Sequence, residues 1–382
     1  MSFNSIIKNK QLVVCCGSGG VGKTTTSAAI ALKAAASGKK TLVITIDPAK
    51  RLAQSLGLSQ LDNEERMVPR EHLKQSGLDP NMQLYATMLD TAASLDSLIK
   101  RISANEEQAR QILNNKIYRQ FTNAIAGSQE YVAMERLFEL MNNKNYDLIV
   151  LDTPPTKNAL DFLNAPNRLA SFLDDGIVKW FVKPQSRGLK ARLFQKGGEV
   201  VFKLLGLLAG RTFVQNLMEF FQAFNGLYGG FKDRAEKVSC LLRNDKTVFV
   251  LVTSAERNAL TEAVFFHDKL ISNGIPLQSV IVNRAFSPFE TKGLDLVMLK
   301  DLLTKNVSKI SKRKTDEIKK FTEKLLQITS LTDKLNNIAF DNIERLKKNL
   351  QSANQILCIP IFAEEIHDMN GLMKMNRYLF AR

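Results

Sequence analysis

The chain has 382 residues, of which 45% are hydrophobic and 24% are charged, and its formal net charge is +15. This is ordinary globular composition, with ample length for a buried core. No apolar run at the N-terminus is long enough for a secretory signal, and the densest apolar stretch, 200–210, is shorter than the about 20 residues that span a bilayer. These patterns predict a cytoplasmic protein.

The positive charge is unevenly placed. Residues 179–211 hold eight Lys or Arg against Glu199 alone. We interpret this segment as a solvated surface, with a contact to an anionic surface as the alternative. Nucleic acid is not the expected partner, although the charge does not exclude it. The four cysteines form no C-x-x-C pair, so we predict neither a zinc site nor a disulfide.

The first predicted strand, LVVCC at 12–16, leads into GSGGVGKTT at 17–25 and then into a helical pattern. This is the phosphate-loop motif in its required context, a loop between a buried strand and a helix. Its backbone N–H groups and the helix N-terminus favour phosphate. Lys23 should neutralise the β- and γ-phosphates and Thr24 should join the Mg²⁺ shell. The predicted nucleotide contacts in the loop are Gly19, Gly20, Val21, Gly22, Lys23, Thr24 and Thr25.

The next predicted strand, TLVITI at 41–46, ends at Asp47. A carboxylate at a strand tip beside a phosphate loop can orient and deprotonate an attacking water. A structural cap is the alternative. After the strand LYATML at 84–89, residues 91–145 have helical patterns. The strand LIVL at 148–151 then ends at Asp152, which we predict as a direct or indirect Mg²⁺ partner, or alternatively as a turn residue. The predicted metal set is Thr24, Asp47 and Asp152.

Residues 160–240 are also helical in pattern but far more aromatic. Within 211–231, large apolar side chains recur at helical spacing on one face. Such a stripe is typical of core packing, and it also fits a groove for an apolar ligand or client helix. The candidate client face consists of Phe213, Leu217, Phe220, Phe221 and Phe224.

Three more predicted strands follow: TVFVLVT at 247–253, VIVN at 280–283 and ILCIPIF at 356–362. Continuous apolar strands that alternate with helices indicate a doubly wound α/β fold with a mainly parallel sheet. We assign residues 1–90, 146–165, 246–290 and 351–382 to the phosphate-loop domain. Residues 91–145 and 166–245 form a helical subdomain, and 291–350 form a further helical insertion with two long charged helices.

Together these motifs resemble the arsenical pump-driving ATPase family, which includes the ATPases that deliver tail-anchored membrane proteins. The resemblance rests on the phosphate loop followed in order by DPAKRLAQSLG, DTPPTKNALDFLNAP, VIVNR and IPIFAEEIHDMNGL. It covers about half of the chain, and the sequence is most similar to the bacterial branch that has DTPP in place of DTAP.

The resemblance implies specific roles. Asp47 would position the attacking water, Asp152 would act on Mg²⁺ through water, and Thr25 would contact the α-phosphate. Asn283 would recognise the adenine edge, and the backbone of Pro360, Ile361 and Phe362 would cover the base. The resemblance also implies ATP and Mg²⁺ as cofactors. The expected assembly is a nucleotide-bridged homodimer, or a dimer with a related chain, that closes on ATP.

The sequence departs from the family pattern at Ser18, where relatives carry a lysine that reaches the partner's nucleotide. A cation at that place stabilises charge in phosphoryl transfer. We name Lys50, Arg51 and Lys157 as candidate substitutes. The chain also lacks the paired cysteines that hold zinc between subunits and a cysteine trio for arsenite.

Three functional hypotheses therefore stand. The first is an ATP-hydrolysing dimeric switch that handles a hydrophobic client or a membrane partner. The second is an ATP-dependent positioning or partition switch on DNA or on a membrane surface. The third is a nucleotide sensor that hydrolyses ATP slowly, which Ser18 motivates. An arsenite efflux subunit ranks fourth.

Overall fold

The structure is a computed structural model that describes residues 3–46, 51–118, 128–154, 210–225, 227–275, 277–285, 301, 305, 315–350 and 355–381. Its strands are β1 (Leu12–Cys16), β2 (Thr41–Thr45), β3 (Arg66–Met67), β4 (Leu84–Met88), β5 (Leu148–Asp152), β6 (Thr247–Ser254), β7 (Leu277–Ala285) and β8 (Gln355–Pro360). Its helices are α1 (Phe3–Asn9), α2 (Lys23–Ala36), α3 (Arg51–Ser55), α4 (Arg70–Gln75), α5 (Thr91–Ile102), α6 (Glu106–Asn114), α7 (Ser128–Asn142), α8 (Arg211–Asn225), α9 (Tyr228–Arg243), α10 (Arg257–Ser272), α11 (Thr315–Asn349) and α12 (Met369–Leu379).

The strands form one sheet in the order β3-β4-β2-β5-β1-β6-β7-β8. Among the described strands, neighbours pair parallel with one exception: the short edge strand β3 pairs antiparallel with β4. The predicted strands are all present, and the doubly wound α/β fold is confirmed. The sequence did not predict β3, because two residues are too few to form a recognisable apolar run.

Hydrophobic clusters cover both faces of the sheet, as the continuous apolar strands predict. Successive residues of a strand point to opposite faces. Leu12 and Val14 of β1 belong to one cluster, which includes residues from α5 to α11, whereas Val13 and Cys15 belong to the other, with α1, α2 and α12. The sheet is therefore the middle layer between two helical layers.

The additional helices lie between consecutive strands. Helices α5, α6 and α7 separate β4 from β5, α8 and α9 precede β6, and α11 lies between β7 and β8. The buried Glu135 on α7 accepts a hydrogen bond from Arg234 on α9, which joins two of these segments. Helix α11 packs against α10, and most of residues 286–314, including the first of the two predicted charged helices there, lie outside the described residues.

None of the described helices combines the length and the apolar character that a membrane span requires. The strand order indicates that a ligand site lies at the carboxyl ends of the central strands. Strands β2, β5, β1 and β6 lie side by side and parallel in its centre, so their carboxyl ends meet at the same edge. Ligands of open α/β sheets bind at this edge.

Candidate nucleotide-binding site

The phosphate loop connects the end of β1 to the start of α2. Gly22 is the residue before the helix and has a left-handed conformation with a φ of 96°. A side chain there would collide with the amide of Asn283, and a side chain at Gly17 would collide with the carbonyl oxygen of Val252. The loop thus approaches β6 and β7 so closely that only glycine fits at these two positions.

Lys23 is the first residue of α2 and its side chain is buried at the loop. Its Nζ donates a hydrogen bond of 2.6 Å to the carbonyl oxygen of Ser18. The ammonium group therefore lies across the concave side of the loop, where N–H groups and the helix N-terminus favour an anion. A phosphate oxygen that binds here would compete with the Ser18 carbonyl for this ammonium group.

Asp152 lies at the tip of β5, directly beside the loop. Its Oδ2 accepts hydrogen bonds from the hydroxyl of Thr24 at 2.7 Å and from the hydroxyl of Thr45 at 3.0 Å. The register of the sheet explains this convergence, because Asp152 pairs with Thr45 on one side and with Cys15 on the other. Thr24 and Asp152, two members of the predicted metal set, are therefore in direct contact.

These oxygen atoms fit a magnesium ion in their chemistry. Mg²⁺ prefers hard oxygen ligands and is commonly held through one or two protein groups plus phosphate oxygens and water. Thr24 and Asp152 would hold it, directly or through water. Sequence reasoning missed Thr45, although a hydroxyl residue at the end of the apolar run TLVIT was the available signal. In the described part of the chain no group of three or more His, Cys, Asp or Glu is arranged to hold a metal ion.

Asn283 lies at the end of β7 and contacts the loop from the opposite side. Its Nδ2 donates a hydrogen bond of 2.9 Å to the carbonyl oxygen of Val21. The next residue, Arg284, has a φ of 55°, and the pairing of β7 with β8 shifts register between Val282 and Ala285. A register break of this kind redirects side chains at a strand end, often beside a functional site.

The predicted base-covering segment follows β8. Pro360 ends the strand, and the backbone N–H of Ile361 donates to the carbonyl oxygen of Ala285. The side chain of Ile361 borders a cleft beside the loop, whereas Phe362 packs edge-on against Tyr378 of α12. The structure therefore brings Asn283 and Ile361 to the site and directs the Phe362 ring toward α12.

The cleft beside the loop has a volume of about 970 Å³. Its walls come from the phosphate loop, the start of α10, the strand ends of β6 and β7, and one face of α11. The residues that line it are Ser18, Gly19, Gly20, Val21, Ser254, Ala255, Glu256, Arg257, Ala259, Glu262, Arg284, Leu335, Ile338, Ala339, Asn342 and Ile361. A pocket of this size accommodates a nucleotide.

Ser18 contacts an acidic residue that also lines the cleft. Its hydroxyl donates a hydrogen bond to a carboxylate oxygen of Glu262 on α10. Arg257 and Arg284 also line the cleft, and their guanidinium groups form no hydrogen bond or ion pair with other described residues. Guanidinium groups are well suited to phosphate. Sequence reasoning missed Arg257, Glu262 and Arg284, because only the fold brings them to the loop.

Three residues that the sequence marked as functional lie outside the described residues: Asp47, Lys50 and Lys157. Arg51, the remaining candidate for the missing cation, begins α3 and is exposed. Thr25 follows Thr24 in the first turn of α2 and is half-buried. The assigned roles of these residues stay predictions.

The aromatic stripe of α8 is divided between core and surface. Phe220 and Phe221 are buried in the large cluster between sheet and helices, with ring centroids 5.3 Å apart. Leu217 packs half-buried against this cluster, and Phe213 is 39% exposed. The side chain of Phe224 is outside the described part. In this conformation Phe220 and Phe221 are therefore core residues, and a groove would require α8 to move away from α6.

Two cysteines lie directly below the loop in β1. Burial raises the pKa of Cys15 to about 12 and raises that of Cys16 well above its ordinary value. Thiolates are the reactive and metal-binding form of cysteine. These two side chains are consequently protonated packing residues at neutral pH.

Comparison with known proteins agrees with this site. A family profile described as anion-transporting ATPase (ArsA_ATPase) matches residues 10–292. The chain is 27% identical over 296 residues to the ATPase get3 of Schizosaccharomyces japonicus, which covers 77% of this chain and 80% of that protein. It is 28% identical over 291 residues to the ATPase get3 of Aspergillus terreus, which covers 75% of this chain and 77% of that protein. The span matched by the profile contains the loop, Asp152 and Asn283.

Proposed function

The chain belongs to the ArsA family of anion-transporting ATPases, and we propose that it is a dimeric switch that couples Mg²⁺-ATP binding and hydrolysis to the handling of an apolar client or membrane-associated partner. ATP hydrolysis to ADP and phosphate is supported by the family and by both relatives. We propose that the second subunit is another copy or a related chain, and that the protein acts in the cytoplasm.

One observation carries the nucleotide part of the proposal. Lys23 and Thr24 begin α2 and Asp152 ends β5, and the fold brings them together around one loop. A buried ammonium group and a hydroxyl–carboxylate pair at the N-terminus of a helix form a combination that suits a phosphate chain with its magnesium ion.

The residues divide the work of hydrolysis. Lys23 exchanges the Ser18 carbonyl for β- and γ-phosphate oxygens. Thr24 and Asp152 would hold Mg²⁺, which would neutralise phosphate charge. Asp47 orients a water and takes its proton as the water oxygen bonds to the γ-phosphorus and the bond to the ADP oxygen breaks. Asp47 follows Thr45 by two residues in sequence, and the hydroxyl of Thr45 donates to Asp152, which supports this proposed role.

The adenosine end of ATP would extend toward Asn283 and Ile361. Ile361 lines the cleft beside the loop, and the Asn283 amide contacts the Val21 carbonyl oxygen of the loop. The role of Asn283 as the group that recognises adenine follows from the family resemblance. Arg257 and Arg284 line the same cleft, and their guanidinium groups suit a phosphate, although Glu256 and Glu262 in the same lining balance their charge.

The client part of the proposal rests on the connection between sheet and helices. The buried side chains of α8 share one cluster with the sheet strands β1, β2 and β5. The side-chain amides of Gln108 and Asn115 donate to carbonyl oxygens of α8, which ties that helix to the α6 segment. A closing movement at the strand ends would therefore reach the exposed Phe213 through packed side chains.

The other hypotheses keep specific support. The charge of +15 favours a positioning switch on DNA or on an anionic membrane. Ser18 and its acidic partner Glu262 favour a sensor that hydrolyses slowly, because the side chain at position 18 supplies no cation. An arsenite function receives little support, since Cys15 and Cys16 are buried and protonated.

Rapid-quench single-turnover hydrolysis and sedimentation velocity test the proposal together. We expect hydrolysis with Mg²⁺ but not with EDTA, and a dimer that sediments faster with a non-hydrolysable ATP analogue than with ADP. Loss of nucleotide dependence in both measurements would contradict the switch. ATP-dependent binding to DNA or anionic liposomes at low salt would favour the positioning hypothesis instead.

The contact between Ser18 and Glu262 predicts the outcome of restoring the family's lysine. In Ser18→Lys the new ammonium group lies beside the Glu262 carboxylate and pairs with it within the chain. We expect little change in hydrolysis from this variant alone. Adding Glu262→Gln frees the lysine and raises the rate by about two- to fivefold, the equivalent of one exposed ion pair.

A double-mutant cycle with single-turnover rates checks this expectation. Glu262→Gln in the Ser18 background is the matched control, and we expect no increase there because no lysine is released. Equal rates in Ser18→Lys with and without Glu262→Gln would show that Glu262 does not restrain the lysine.

A further inference from the structure

Helix α11 carries a row of apolar side chains that are exposed in the part of the chain that the structure describes. We call this row the α11 seam, and its members are Phe321, Ile328, Leu331, Leu335 and Ile338, with side chains that are 52–60% exposed. Residues 328, 331, 335 and 338 are spaced by three, four and three, and 321, 328 and 335 are seven apart. This is the a/d pattern of a coiled coil.

The α11 seam continues the buried face of the same helix. In the C-terminal part of α11, Ala339, Ile343 and Leu346 are buried in the main cluster, where α11 packs against α10. The seam residues lie on nearly the same side of the helix, between one residue and about five turns before Ala339. From Phe321 to Ile338 the seam extends about 26 Å along the axis at 1.5 Å per residue.

We propose that the α11 seam pairs with the same seam of a second copy of this chain and holds the dimer together when no nucleotide is bound. This inference rests on the dimeric switch proposed above. An a/d seam is a convex ridge that fits another such ridge by placing knobs into holes, whereas an extended apolar client requires a concave groove. A two-fold interface uses the same patch on both subunits, and one seam supplies both halves.

Position in the fold supports a second copy as the occupant. Leu335 and Ile338, at one end of the seam, line the cleft together with Ser18 and the phosphate loop. A copy that packs along the seam therefore closes over the cleft in which the nucleotide is proposed to bind. The second subunit would therefore come close to Ser18, whose side chain supplies no cation.

Charge supports the same occupant. Residues 320–342 carry three basic side chains, Lys320, Lys324 and Lys334, and three acidic ones, Glu323, Asp333 and Asp341, and so have no net charge. The whole chain, in contrast, is at +15. A membrane or nucleic-acid surface would favour a basic border. A neutral segment lets two copies of a basic protein approach without repulsion.

The α11 seam would link two subunits without a contribution from the cysteines. The chain has no C-x-x-C pair, and its four cysteines are free, with Cys15 and Cys16 buried in β1. An apolar seam links subunits without a metal, since burial of large apolar side chains drives association by itself.

Sedimentation equilibrium of the nucleotide-free protein tests the proposal. We expect a dimer for the wild type and a monomer for Ile328→Glu with Leu331→Glu. The Kd should rise at least about 100-fold, because pairing would bury two charged carboxylates at a and d positions of each helix. The matched control is Phe340→Glu. Phe340 is 61% exposed on the same helix but lies roughly 140° around the axis from Leu335, so the dimer should persist.

Further variants separate pairing from folding and from the nucleotide function. Ile328→Leu with Leu331→Ile should keep the dimer, and circular dichroism should show equal helix content in all variants. A wild type that is monomeric without nucleotide overturns the inference, and an ATP-induced dimer in that case leaves the proposed switch intact. A dimer that survives the two glutamates also overturns it. So does loss of binding to a labelled apolar helical peptide with the dimer unchanged, since the seam would then be a client surface.

Discussion

Replacing Asp47 by asparagine is expected to lower the single-turnover rate of ATP hydrolysis by about 10²–10⁴-fold, the usual contribution of a general base. Asparagine keeps the size of the side chain but cannot take a proton from water. ATP affinity, measured with a fluorescent analogue, should change by no more than a few fold. The expectation has structural support, because Thr45, two residues earlier, donates to the Mg²⁺-partner candidate Asp152.

Asp79→Asn is the matched control for this experiment. Asp79 is an exposed aspartate that precedes β4, so it lies at the opposite edge of the sheet from the strand tips. It accepts a hydrogen bond from the backbone N–H of Asn81 and should affect hydrolysis little. A wild type that hydrolyses ATP and an Asp47→Asn variant that does so equally fast would remove Asp47 from the mechanism. A wild type without measurable hydrolysis would favour the sensor.

Replacing Lys23 by alanine is expected to lower hydrolysis by about 10²–10³-fold, as the loss of one preorganised electrostatic group does elsewhere. The ammonium group is buried 2.6 Å from the Ser18 carbonyl oxygen and lies inside the loop before any ligand arrives. Its loss removes positive charge from the place where the phosphates bind. We therefore expect binding and hydrolysis to fall together.

Thermal unfolding with and without Mg²⁺-ATP separates this effect from misfolding. A ligand at 100 times its Kd stabilises a protein by about 2.7 kcal/mol, which raises Tm. The wild type should show this shift, whereas Lys23→Ala should unfold near the ligand-free temperature with or without ATP. Lys100→Ala, at an exposed lysine of α5, should behave like the wild type. An unchanged ATP-induced shift in Lys23→Ala would place the phosphates elsewhere.

The Ser18 position links these experiments to assembly. Its hydroxyl faces Glu262 within the same subunit, and the cleft around it contains the guanidinium groups of Arg257 and Arg284. The two arginines of the cleft come from α10 and β7, and Glu256 and Glu262 in the same lining balance their charge. A second subunit held along the α11 seam would close this cleft, so nucleotide binding and pairing would influence each other.

The sequence by itself determined the fold class and the central part of the site. The apolar runs at 12–16, 41–46 and 148–151 predicted buried parallel strands, because residues covered on both faces show no polar alternation. The phosphate loop was recognisable because its glycines, lysine and threonine act through local backbone geometry. Asp152 could be predicted as well, since a carboxylate at the end of a buried parallel strand lies where the carboxyl ends of the strands meet.

Only the tertiary structure decided which distant side chains complete the site. Ser18 and Glu262 are 244 residues apart in sequence, and Asn283 and Val21 are 262 apart, so no local pattern connects them. The tertiary structure also decided which apolar side chains are buried. The apolar stripes of α8 and α11 have similar helical periodicity, yet Phe220 is enclosed by neighbouring helices whereas Leu331 is exposed. Periodicity gives the apolar face of a helix, and only the packing of the whole chain determines whether another element covers it.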